Sequence, residues 1–144
     1  MSEHIVPAFT TIEATGAVLI AFVYIAISSL LAEPNRQKLS AIIVAGAGAA
    51  YLSGGLGLWE FAFCTLITFF AFKGLRSYRY IAAAWLLHAG WDIMHHLYGN
   101  PIVSLDPSSS AGCAICDIIL ATWFFFNAPS IFELLKSRKP VITT

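Results

Sequence analysis

Two short stretches hold most of the residues able to do chemistry, His88-Ala-Gly-Trp-Asp92-Ile-Met-His95-His96-Leu-Tyr98-Gly-Asn-Pro101 and Gly112-Cys113-Ala-Ile-Cys116-Asp117. On a helix His88, Asp92 and His95 fall within about 60° of one another, with His96 at the edge of the stripe. Cys113, Cys116 and Asp117, spaced i, i+3 and i+4, share a face in the same way. Imidazole, thiolate and carboxylate together suit Zn or Cu. His88, Asp92, His95, Cys116 and Asp117 are therefore candidate metal ligands, His96 and Cys113 are further donors, and Glu60 is a carboxylate for the shell behind them or for the cavity entrance. An open coordination position would let a bound water be activated or a substrate oxygen polarised.

The same residues admit other chemistries. A Cys-x-x-Cys pair at a helix N-terminus feels the positive end of the dipole, which favours thiolate and thus thiol redox function. Membrane enzymes that form disulfides and pass electrons to quinone use such a motif, together with a second cysteine pair; here Cys64 is the one other cysteine. His88, Asp92 and Asp117 could instead form a proton or cation relay, or belong to a non-catalytic accessory subunit of a membrane complex. A relay across the whole bilayer is opposed by the apolar run of Ile81, Leu86, Leu87, Leu120 and Phe124 to Phe126. The plainest readings are interfacial histidines for His95 and His96, a packing hydrogen bond for His88 and Asp92, and small apolar packing residues for the cysteines.

The elements that position these residues follow from composition. With 58% apolar and 11% charged residues in 144, and a mean hydropathy of +0.77, the chain lacks the polar surface of a soluble domain. Apolar stretches long enough to cross about 30 Å of hydrocarbon run over residues 11–31, 39–55, 58–75, 79–98 and 111–127. This predicts an all-α integral membrane bundle of five transmembrane helices, forming one transmembrane domain over 1–144. The weakest boundary is Ser53-Gly-Gly-Leu-Gly57, which needs a very tight turn; the alternative is one broken or re-entrant helix and four spans. Residues 131–139 read as a short interfacial helix.

Every Lys and Arg lies between spans one and two (Arg36, Lys38), between three and four (Lys73, Arg76, Arg79), or after span five (Lys136, Arg138, Lys139). Five crossings put all three groups on one side, which the positive-inside rule assigns to the cytoplasm, with the N-terminus outside and the C-terminus inside. The acidic N-terminus lacks a small-residue cleavage site, so the first span is expected to stay in place. Trp59, Tyr78, Tyr80 and Tyr98 near span ends read as interfacial aromatics. The rows Ala45/Ala49/Ser53 and Gly46/Ala50/Gly54 read as a close-packing surface for another helix or for a second copy of the chain. Asp92 and Asp117, about 10 and 9 Å inward from the outer ends of their spans, should be level in the outer half of the bilayer.

The combination of His88-Ala-Gly-Trp-Asp92, His95-His96-Leu-Tyr-Gly-Asn-Pro101 and Gly112-Cys-Ala-Ile-Cys-Asp117 resembles a family of small bacterial multi-span membrane proteins of unknown function over Leu75–Pro129. The resemblance implies the bacterial inner membrane and supplies no substrate or reaction. The paired-glutamate motif of prenyl-protein proteases and the histidine set of ceramidase-like enzymes are missing. The partners expected are the lipid bilayer and a homo-oligomer or larger membrane complex; nucleic acid is excluded by the few basic residues and their topological placement.

Overall fold

The computed structural model of the chain describes residues 6–52 and 54–137. Among them six α-helices follow in order: α1 (Thr11–Ser29), α2 (Asn35–Ala49), α3 (Trp59–Gly74), α4 (Tyr78–Tyr98), α5 (Ser109–Phe125) and α6 (Ile131–Ser137); no strand occurs among the described residues. α4 is central: it packs most extensively on α5 and also touches α3 and α2, while α1 covers the far side of α5.

Local chemistry sets the helix ends. Thr10 and Glu13 form a reciprocal capping box at the start of α1, with the Thr10 N–H donating to Glu13 Oε2 at 2.6 Å and the Glu13 N–H donating to Thr10 Oγ1 at 3.3 Å. α4 stops at Gly99, two residues before Pro101, because the residue preceding proline is pushed out of the helical region. α2 and α3 are two separate helices packed on each other. Their boundary differs from expectation. α2 starts beside Pro34 and ends at Ala49, and the connection is the long segment 50–58, in which Gly55 (φ 99°) and Gly57 (φ 63°) take left-handed conformations that glycine adopts without penalty.

The interior is an apolar core of residues such as Ile25, Val44, Ile67, Trp85 and Phe124 with polar clusters set into it, and the exterior is also rich in large apolar side chains. Ser40, Glu60, His88, Asp92, His95, Ser110 and Asp117 are buried, whereas Leu19, Phe22, Ile42, Phe61, Phe72, Leu86 and Phe125 are exposed. Of the described helices only α1 is both long and apolar enough, by length and composition, to cross a membrane; α5 is apolar but 17 residues long. Charge is divided between the ends of the bundle. Glu13, Glu60, Asp92, Asp106 and Asp117 gather where α1, α3 and α5 begin and α4 ends, and the described Lys and Arg residues lie at the opposite end.

At that basic end Arg36 does more than mark a loop. It is 5% exposed and clamps carbonyls, donating from Nη1 to Ala128 O at 2.8 Å and from Nη2 to Leu31 O at 2.9 Å. Tyr78 is not an interfacial aromatic: it is buried and donates to Glu33 Oε1 at 2.6 Å. Trp59, Tyr80 and Tyr98 are exposed. Of the expected close-packing rows, Ala45 packs against the core and Gly54 lies against the His95 ring, while Gly46 faces outward and Gly48, in neither row, makes the close contact with α3. Gly46 is exposed, and a Cβ built there meets no atom within 4 Å, while a Cβ on Gly48 would lie 2.6 Å from Ile67 Cγ2 of α3. Small residues are so frequent in α2 that several faces look alike, and only the position of α3 selects one. Ser53 of the expected packing row, and Arg138 and Lys139 of the expected interfacial helix, lie outside the described residues.

Candidate metal centre

His88 sits in the middle of α4 with its ring between two carboxylates. Its Nδ1 is 2.8 Å from Asp117 Oδ2 and 3.3 Å from Asp92 Oδ2. Asp92 is one helical turn further along α4 and so projects beside His88, whereas Asp117 arrives from α5. The three side chains are 2%, 0% and 4% exposed for His88, Asp92 and Asp117, and they offer one ligand atom each within 4.8 Å of one another. The rings of Tyr51, Phe63 and Trp85 surround His88 with centroids 5.7–5.9 Å away, forming an aromatic collar. His88 Nε2 and Asp92 Oδ1 are buried and have no hydrogen-bond partner.

With both carboxylates ionised and His88 neutral, the cluster would carry two negative charges away from water. A burial penalty of several kcal/mol per ion makes that arrangement untenable without a counter-charge. A second proton on the His88 ring, so that the imidazolium donates its Nδ1–H to Asp117 and Asp92, is one solution; a cation held by the same three atoms is another. The donor set of one imidazole and two carboxylates fits a borderline divalent ion such as Zn.

His95 belongs to a second cluster. Its Nε2 is 3.2 Å from the Glu60 carboxylate and its Nδ1 3.2 Å from Asn100 O, so both ring nitrogens face acceptors. Glu60 also accepts from the Leu56 N–H at 3.0 Å and from Trp91 Nε1 at 3.2 Å. Glu60 is thus the shared acceptor of this cluster, and the His95 ring is held between the Glu60 carboxylate and the Asn100 carbonyl. Gly54 and Gly99 make room for the ring, since a Cβ on either would lie 2.4 Å from it. Tyr51 stacks on His95 at 3.8 Å and joins the two clusters.

The structure therefore brings together His88, Asp92 and Asp117 of the candidate ligands and holds His95 apart with Glu60. His95 shares the angular stripe of His88 but lies two turns, about 10 Å, along the axis, too far for bonds of about 2 Å to one ion. Cys113 and Cys116 are free, half-buried thiols on a groove between α1 and α5, which Asp117 also lines. Cys113 is the fifth residue of α5, outside the first turn in which the helix dipole acts. His96 is half-buried, and its Nδ1 is unpaired. Sequence reasoning did not single out Tyr51 or Ser110, whose hydroxyls are 3.0 Å apart beside the site. The only signal for Tyr51 was a lone aromatic in a run of Ala and Gly.

Among curated proteins and among solved structures, no match is found. The family described as "Family of unknown function (DUF6010)" matches residues 12–130, a stretch that contains both polar clusters, and the chain belongs to that family.

Proposed function

We propose that this chain is a multi-span helical membrane protein whose outer half holds a transition-metal cation, Zn or Cu, on His88, Asp92 and Asp117. The observation that carries the metal reading is the convergence of three buried ligand atoms on one point, His88 Nδ1 and two carboxylate oxygens at 2.8 and 3.3 Å from it. The unpaired Asp92 Oδ1 supports it further, because a buried carboxylate oxygen without a donor is costly and a cation would satisfy it. Without metal, the proton on Nδ1 holds the cluster together; binding displaces that proton.

The membrane reading rests on the apolar exterior, the ionisable residues buried inside the bundle and the confinement of the described Lys and Arg to one end. α1 and α4, with 19 and 21 residues, reach about 28 and 31 Å, while α2, α3 and α5 reach about 22–26 Å; the bilayer would thin locally around the shorter helices. The one domain, the five crossings and the inner-membrane location are part of this reading. A homo-oligomer or a larger complex is compatible with it, through the exposed Gly46 face.

Thiol redox chemistry is less well supported. Cys113 lies beyond the reach of the dipole, and carboxylates on the same groove oppose a neighbouring thiolate.

The test is elemental analysis of detergent-purified protein after reconstitution with Zn, comparing wild type, His88→Ala and Asp117→Asn, each first shown to be folded and monodisperse. One ion per chain in wild type and none in the variants is expected. Because one proton leaves as each ion binds, apparent affinity should fall up to about tenfold for each unit the pH is lowered. Wild type that takes up neither Zn nor Cu removes the metal reading.

A further inference from the structure

The site just described is enclosed by its aromatic collar, so a cation needs a way in, and an entry path is one of the checkable requirements of any metal site. Asp117 is the ligand that also reaches a cavity. It lines the groove of about 360 Å³ between α1, α5 and the loop before α5, whose walls also carry Cys113, Cys116, Glu13 and Asp106. The donors are ordered along the path. Glu13 and Asp106 flank Ser108 at the mouth, with a carboxylate oxygen of each within hydrogen-bond distance of its hydroxyl. Cys113 comes next, Cys116 is about 4.5 Å further along the axis of α5, and Asp117 follows at the base. No Lys or Arg lines the groove.

We infer that the α1/α5 groove is the access route by which a thiophilic transition-metal cation reaches Asp117, with Cys113 and Cys116 as transient ligands on the way. This rests on the metal reading of His88, Asp92 and Asp117. Acidic groups between low-dielectric walls concentrate cations at the mouth. Thiol sulfurs then select borderline and soft ions such as Zn²⁺ or Cu⁺ over Mg²⁺ or Ca²⁺, which prefer oxygen. The cysteines, which share a helical face with Asp117 but stand outside its ligand cluster, gain a role consistent with their half-exposed positions.

The groove can be plugged without touching the site. A Cβ on Gly16 of α1, which lines the groove, meets no heavy atom within 4 Å, so Gly16→Leu places its side chain in open space. The experiment follows Co²⁺ uptake by the purified full-length chain over time, with optical absorption reporting coordination and elemental analysis reporting the end point. Gly16→Leu should load about tenfold more slowly or worse, with the same final stoichiometry. Cys113→Ser/Cys116→Ser should also load slowly and should lack the transient near-ultraviolet thiolate-to-cobalt band expected early in wild-type uptake. If both variants load at the wild-type rate while His88→Ala takes up nothing, the metal site stands and the groove is not its entrance. If wild type takes up no Co²⁺, Zn²⁺ or Cu⁺, the metal reading fails and the route fails with it.

Discussion

Glu60 is the side chain on which the second polar cluster depends; the sequence marked it as a carboxylate behind the candidate ligands or at the cavity entrance, without giving its partners. Its partners come from three places in the chain: Leu56 N in the turn before α3, and Trp91 and His95 on α4. Glu60→Ala would strand these buried groups without their acceptor, so a loss of about 2–4 kcal/mol is expected. Glu60→Gln keeps the shape and one acceptor oxygen and should cost about half as much. Thermal unfolding in detergent compares the two, and a Glu60→Ala protein as stable as wild type would show that these contacts do not hold the cluster together. The stripe from His88 to His95 illustrates what spacing leaves open. Angular position on a helix follows from residue number, but His88 and His95 are two turns apart, and only the placement of α3 gives His95 a different partner.

At the scale of elements, α2 and α3 approach most tightly at Gly48. The contact between Gly48 and Ile67 predicts that Gly48→Ala forces the helices apart and destabilises the protein by about 1–3 kcal/mol, the usual range for overpacking. Gly46→Ala, two residues away on the open face, should be neutral or stabilising by up to about 1 kcal/mol through helix propensity. Thermal unfolding midpoints of the two variants test the pair, and equal midpoints would mean that α2 packs through another face. Helix existence was readable from apolar run length at every one of the five long helices. The register of α2 was not, because the run 39–55 includes an apolar but irregular segment after Ala49 whose glycines turn the chain.

The whole molecule is polarised from end to end. Glu13, Glu60, Asp92, Asp106, Asp117, His95 and His96 lie toward one end, and the clamp of Arg36, the pairing of Tyr78 with Glu33 and the remaining described Lys and Arg lie at the other. For a five-crossing bundle oriented by its basic loops, a fluorescent protein fused after Thr144 should fold in the cytoplasm, and a periplasm-dependent phosphatase fused there should be inactive. The phosphatase inserted between Leu105 and Asp106 should be active. The reverse pattern would overturn the orientation, and release of the chain from membranes by alkaline carbonate would overturn the membrane reading itself.

Helical class, the number of long apolar segments and the division of basic from acidic ends were determined by the sequence alone, since run length and charge position depend only on residue order. The pairing of His88 with Asp92 was also within reach, because an i, i+4 contact is local to one helix. The tertiary structure decided which residues complete each cluster. Asp117 meets His88 because α5 packs along α4, Glu60 captures His95 because α3 packs on the other side, and the thiols face a groove because α1 lies across α5. Each of these contacts joins residues on different helices, and helix order in the chain does not specify which faces meet.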